Sequence, residues 1–304
     1  MADAVTELEE LIRQDLLGEL GPDPSGELAA MRLGDLLIVY LNWRFRFVSE
    51  RPRAAHLSSE LLTSPKYLEH RAAIDDIVGK IKAGDDLSPH LSKRASTAYE
   101  PTRKRKASRA VRKDLDLLLS EWNIHHLHLS TVVGPDGYVG RTTDLLFVNF
   151  QHENSYLIAI YPHGDWTRTD LGLISVRNWP DARIFSKLEG VLGLAEPVAE
   201  TELPALRNAG LTTLLEFDGA VYAPAGQSTA GTSIAASTWS INITDALRGL
   251  RDTLNDLERL TEIARGAGVE LAADIRWVAW RQDGWYGVRD ECSGFSLQAV
   301  KITD

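Results

Sequence analysis

Cysteine is almost missing from this chain: Cys292 is the single one in 304 residues. A lone thiol can neither close an internal disulfide nor build a thiolate zinc site, so a reducing, cytoplasmic setting is expected. Long apolar runs are missing too. A run such as Leu36-Leu37-Ile38-Val39-Tyr40-Leu41 falls far short of the ~20 residues that a bilayer-spanning helix needs, so no membrane association is expected. The opening segment Met-Ala-Asp-Ala-Val-Thr-Glu-Leu-Glu-Glu lacks basic residues, unlike a secretory signal or an organelle transit peptide. Overall positive charge is also lacking. With 33 Lys and Arg against 43 Asp and Glu, the net charge is -10, which argues against wholesale electrostatic capture of nucleic acid.

What remains is a globular composition, 44% hydrophobic and 25% charged, enough for one large domain or two ordinary ones. The charge is unevenly placed. From Lys93 to Lys113 there are nine Lys and Arg residues and one acid, Glu100. Such a block can follow a phosphate backbone, with Arg103, Lys104, Arg105 and Lys106 as RNA contacts, or serve as a solvated linker.

The first third reads as helical. Thr6 and Glu9 have the spacing of a capping box for a helix ending near Gly18 to Gly21. A second helix is expected from Glu27 to about Val48, and a third from Ser64, with Pro65 in its first turn, to Gly84. After the basic stretch a short helix runs from Asp114 to about Trp122. Strands are then predicted over 124–133, 144–151 and 155–161 as an antiparallel meander, with Pro162 ending the third and His163 just beyond. Further on, a hairpin turns at Asp218-Gly219, a helix spans Thr244 to about Gly266 with a leucine stripe, and two strands meet at Asp283-Gly284. The fold class is therefore α+β: a helical N-terminal region to 112, and a mixed domain over 113–304 holding a central antiparallel meander, a long helix and further strands.

Three of the eight histidines fall within four residues, at His125, His126 and His128. Strand alternation puts His125 with Leu127 and Leu129 on a core face. His126 and His128 share the opposite face, roughly 7 Å apart by strand rise, a spacing suited to two groups flanking one phosphate. A solvent-facing pair without a role is the plainer alternative. Arg141 at the start of the second strand and His163 after the third can converge on them. Imidazoles titrate near neutral pH and a guanidinium fork stabilises an anionic transition state. Tyr161 and Trp166 offer rings on which a base could stack.

The helical lead-in, the basic stretch and a meander with His and Arg at its strand ends resemble the RelE-type toxin endoribonucleases and, more distantly, the barnase-like metal-independent ribonucleases. The likeness covers about residues 114–166. It implies a toxin or antiphage effector that uses RNA's 2′-hydroxyl to cleave the adjacent phosphodiester, with no metal or other cofactor and with an antitoxin or regulatory protein as partner. By position, His126 or His128 would be the base, His163 the acid and Arg141 the charge stabiliser. Toxins of that type are far smaller, so the flanking regions have no counterpart. The competing class is a non-enzymatic binding or regulatory protein with structural histidines.

Other patterns point elsewhere. His-Leu-Ser occurs at His56, His90 and His128. Two such tripeptides on strands resemble the two-histidine phosphoesterases, but only His128 is predicted on a strand, since Ser58 reads as a helix cap. The His126-x-His128 spacing is similar to that of metal-binding cupins, without their acidic ligand. Gly226 to Ser233 has P-loop glycine spacing, with Thr232 in the lysine position and no helix expected directly after it, so it reads as a surface loop. Arg177-Asn178-Trp179-Pro180 is polar enough to line a site.

Overall fold

The computed structural model describes residues 3–23, 25–96, 99, 115–164 and 168–302. Arg103, Lys104, Arg105, Lys106 and Trp166 lie outside them, with most of the basic stretch.

The described chain is mixed α+β, the class its sequence pattern indicates. Helix α1 (Ala4–Leu20) is capped by Asp3, whose carboxylate accepts from Thr6 N–H at 2.9 Å. This cap precedes the expected Thr6–Glu9 box, and it lets the buried stripe of Val5, Leu8, Ile12 and Leu16 begin one residue into the helix. The single helix expected over 27–48 is two, α2 (Glu27–Ala30) and α3 (Leu33–Arg44), because Met31 is extended. Strand β1 (Ala54–Leu57) was not expected. It is followed by α4 (Ser59–Thr63), α5 (Pro65–Glu69) and α6 (Arg71–Ala83), with Ser58 and Ser64 capping the first two. Gly84 ends α6 at φ 82, and a Cβ there would lie 2.6 Å from Pro52 N, so only glycine fits.

Helix α7 (Leu117–Trp122) turns through Asn123, at φ 54, into the meander β2 (Ile124–His128), β3 (Asp144–Phe150) and β4 (Asn154–Pro162). Pro162 pairs with Asp144 as the last strand residue rather than falling outside, and the terminal bond is donated by His163 N–H to Thr143 O. After α8 (Asp170–Asn178), β5 (Ser186–Lys187) and α9 (Leu203–Asn208) comes the expected hairpin of β6 (Leu215–Phe217) and β7 (Ala220–Ala223). Its turn residues Asp218 and Gly219 both have positive φ, 49 and 68, as a tight two-residue hairpin requires. The helix expected from Thr244 starts ten residues sooner and is broken: α10 (Ile234–Asn255) stops and α11 (Leu257–Gly266) starts where Asp256 caps it, accepting from Arg259 N–H. Strands β8 (Trp277–Gln282) and β9 (Trp285–Asp290) turn at Asp283-Gly284, and β10 (Ser296–Lys301) pairs with β9 as a third, unexpected strand.

The chain forms two compact units, Leu41–Ala235 and a second made of Met1–Tyr40 with Ala236–Asp304. The division expected at residue 112 falls inside the former, because β1 pairs in parallel with β4 and ties the segment before the basic stretch to the meander. That unit is built on a four-stranded sheet of order β1-β4-β3-β2. Both sheet faces are covered. Ile74, Ile77 and Ile81 of α6 pack with Leu127, Leu129, Leu146 and Val148 on one side. On the other, Leu171 and Ile174 of α8 pack with Trp122, Ile124, Leu145 and Phe147. A strand buried on both faces needs apolar residues throughout, which is what Leu145-Leu146-Phe147-Val148 supplies. In the second unit, Leu260, Ala264 and Phe295 form a core between α11 and the β8–β10 sheet. Asp15 of α1 accepts from Tyr286 Oη at 2.9 Å. Among the described residues no helix is long and apolar enough to cross a membrane.

Candidate functional site

Asp116 starts the site. Its carboxylate caps α7, accepting from Leu119 N–H at 3.0 Å, and the left-handed Asn123 releases the chain straight into β2. Alternation along β2 then sends His125 to the α6 side with Leu127, and His126 and His128 to the α8 side with Ile124. His125 is a packing residue. It donates from Nε2 to Phe45 O at 3.1 Å, meets Phe150 edge-on, and is pushed down to about 4 chiefly by burial.

The face carrying His126 and His128 is not the solvated face that a two-sided meander suggests, because α8 and the chain after it cover it. His128 keeps 3% of its surface exposed. Its Nδ1 accepts from Thr142 N–H over a long 3.4 Å, which leaves Nε2 as the protonated nitrogen of the neutral ring. Burial first, then the neighbouring His126, Arg141, His163 and His90, push His128 down to about 4. Its carbonyl accepts from His90 Nδ1 at 3.0 Å, while Lys80 Nζ donates to His90 Nε2 at 2.9 Å. That buried pair fastens the end of β2 to α6.

His126 lies 6.5 Å from the Phe147 ring, and its Nδ1 is 3.6 Å from the Asp116 carboxylate. His163 is exposed at the end of β4, its ring 6.5 Å from that of His128 and inclined by 24°. Arg141 donates to His163 Nε2 at 3.3 Å. Burial, then Arg141 and His126, hold His163 below its ordinary value of 6.5. Tyr161 pairs with Leu145, which pairs with His128, so the three residues share one row of the sheet. His126, His128, Arg141, His163 and Tyr161 thus gather at one end of the sheet. Such a group of imidazoles around a guanidinium can bind an oxyanion and move protons beside it.

Four contributors were not read from the sequence. Asp116 and Thr142 orient the histidines, and His90 carries the end of β2. Arg168 stacks its guanidinium 4.3 Å from the centre of the Tyr161 ring, covering the surface expected to meet a base. The one signal for Thr142 was its position beside Arg141.

The remaining patterns resolve by geometry. His56 is on a strand after all, in β1, yet the sheet order places β1 and β2 at opposite edges, about 14 Å apart over three interstrand spacings. Helix α10 does follow Gly226 to Ser233 directly, contrary to expectation. The amides of Gly226, Ser228 and Gly231 donate to Glu121 O, Thr232 O and Ser228 O, so both glycine amides are already engaged within the protein and the segment is an anchored turn. Arg177 and Asn178 are held by Glu60, and Trp179 packs on Tyr156. Among the described residues, the set of three donors lying within 4.8 Å of one another is Glu69, His70 and Asp144, on the α6 side of β3. There Asp144 is already compensated by Lys66 and by His70 Nε2 at 3.1 Å. No family model, curated protein or solved structure matches this chain.

Proposed function

We propose that the chain cleaves RNA by imidazole acid–base chemistry, without a resident metal ion. The observation that carries this reading is the convergence of His126, His128 and His163 with Arg141 at one end of a sheet. His163, held below 6.5, is the free base near neutral pH and takes the proton of the ribose 2′-hydroxyl. This reverses the role that the ribonuclease resemblance implies for it, because the cation beside it disfavours a proton donor there. The 2′-oxygen bonds to phosphorus, the bond from phosphorus to the 5′-oxygen breaks, and His126 delivers a proton to that leaving oxygen. Arg141 and the neutral His128, donating from Nε2, stabilise the charge gathering on the phosphate. The products are a 2′,3′-cyclic phosphate and a 5′-hydroxyl.

The test is incubation of the purified chain with mixed-sequence RNA in a chelator, followed by chemical typing of the new ends. Cyclic phosphate ends are expected, together with slowed bacterial growth on expression, as a toxin or antiphage effector would cause. Intact RNA would sink the reading in favour of a binding or regulatory protein. Cleavage appearing only after a divalent ion is added would turn His126 and His128 from proton carriers into ligands.

A further inference from the structure

We infer that Glu69, His70 and Asp144 form a reversible zinc site at the start of β3, on the sheet face away from His126 and His128. Asp144 shares its face with Leu146 and Val148, against α6, whereas His126 and His128 lie on the α8 side. Lys66 and His70 are four residues apart across the end of α5, so both side chains reach the same carboxylate. Lys66 donates to Asp144 Oδ1, and His70 Nε2 lies 3.1 Å from Oδ2. Glu69 brings Oε1 to 4.0 Å from that nitrogen, and one atom from each of the three residues lies within 4.8 Å of the others. Around a tetrahedral zinc with bonds near 2.0 to 2.1 Å, donor atoms are roughly 3.4 Å apart. The distances of 3.1 and 4.0 Å bracket that value. An imidazole nitrogen with two carboxylate oxygens is a donor set that zinc takes, water completing it as the fourth ligand.

The charges favour the ion. Burial works to raise Asp144, yet the bonds from Lys66 and His70 hold it below its ordinary 3.8, so the carboxylate is ionised near neutral pH. Lys66 engages Oδ1 and leaves Oδ2 turned to His70, the kind of outer support that orients a ligating carboxylate. Among the described residues the Glu69 carboxylate has no ionic partner but His70, and its side chain is 67% exposed, so it can close on an ion from solvent. Two carboxylates, one ammonium and a neutral imidazole leave one net negative charge to draw a cation. Entry of zinc replaces the His70–Asp144 hydrogen bond, and the neutral ring moves its proton from Nε2 to Nδ1, so none is lost. Because Lys66 satisfies Asp144 without zinc, the ion is exchangeable and takes no part in the chemistry proposed for the other face. It would fasten the α5–α6 junction to the residue whose carbonyl accepts from Thr142 Oγ1, next to Arg141.

The experiment is calorimetric titration of the dialysed whole chain with zinc chloride, and titration with cobalt chloride followed by visible absorption. The parent is compared with Glu69→Gln, with His70→Gln and with the His126→Ala, His128→Ala double variant, and circular dichroism checks their folding. One zinc per chain is expected, with cobalt bands as intense as four-coordinate sites give and a higher thermal midpoint in zinc. Glu69→Gln and His70→Gln should each weaken that zinc at least about tenfold, and the double variant should keep it within about twofold. Glu69→Gln changes an exposed side chain, so its loss of affinity is read on a folded chain. No zinc bound by the parent, affinity unchanged in Glu69→Gln and His70→Gln, or a zinc lost in the double variant but kept in His70→Gln would overturn the site. No RNA is present, so failure here leaves the cleavage reading standing, and intact RNA in the cleavage assay leaves this site standing.

Discussion

His56-Leu57-Ser58 and His128-Leu129-Ser130 are the same tripeptide on two strands of one sheet, and they have opposite fates. In β1 the His56 ring stacks on Tyr156, with centroids 5.2 Å apart, and donates to Asn154 Oδ1 at 2.9 Å. Ser58 is consumed as a helix cap, donating to Ile158 O and accepting from Leu61 N–H. In β2, His128 is buried among His126, His163 and Arg141 and is driven down to about 4. The third copy, at His90, lies in a 3-10 turn and clamps β2 from beneath. A motif acquires chemistry from the charges packed around it, and these are set by which strands lie side by side.

The largest effect should separate the copies by activity. His126→Ala with His128→Ala is expected to lower the initial cleavage rate of an RNA oligonucleotide at least 100-fold. His56→Ala should leave it within about twofold. A comparable loss from His56→Ala would erase the distinction between the strands.

Stability against acid sharpens the same contrast. His125 and His128 sit at about 4 in the folded chain and return to an ordinary value of 6.5 on unfolding. Between those values the unfolded chain binds more protons, so stability present above pH 6.5 is lost as the pH falls towards 4. The loss from pH 7 to pH 5 should be about 2 kcal/mol per histidine by urea unfolding. His125→Phe should flatten the slope. An unchanged slope in the His125 variant would mean that the ring is not held neutral by burial.

The smallest effect is a shift in a pH profile. In the proposed mechanism His163 works deprotonated, and it is lowered by burial and then by Arg141, so the acidic limb of kcat should lie below pH 6.5. Arg141→Gln removes one cation, so its residual activity should show the limb moved upward by less than one unit. A limb that moves downward would show that Arg141 does not act on His163.

The meander and both tight turns were legible because they are local: Leu145 to Val148 is continuously apolar, and Asp218-Gly219 and Asp283-Gly284 have the residues that tolerate positive φ. Strand β1 was not, since Ala-Ala-His-Leu has no β-branched residue and resembles a helix approach. The break between α10 and α11 hides inside an unbroken leucine stripe, where Asp256 reads as a solvent-facing position until its cap is seen. At the site, the shared face of His126 and His128 followed from alternation, but Arg168 lay beyond the strand and showed no period at all.

What the sequence determined by itself was therefore period and turn: which residues alternate, where the chain reverses, and that His125 parts company with His126 and His128. Backbone sterics and side-chain alternation act within a few residues, so they can be read in order along the chain. Only the tertiary structure decided which face was covered, which of three identical tripeptides came to lie beside His126, His163 and Arg141, and that Arg141 reaches His163 across 22 residues. Those outcomes depend on burial and on charge at a few ångströms, and both are set by strand order and by the layers packed against the sheet.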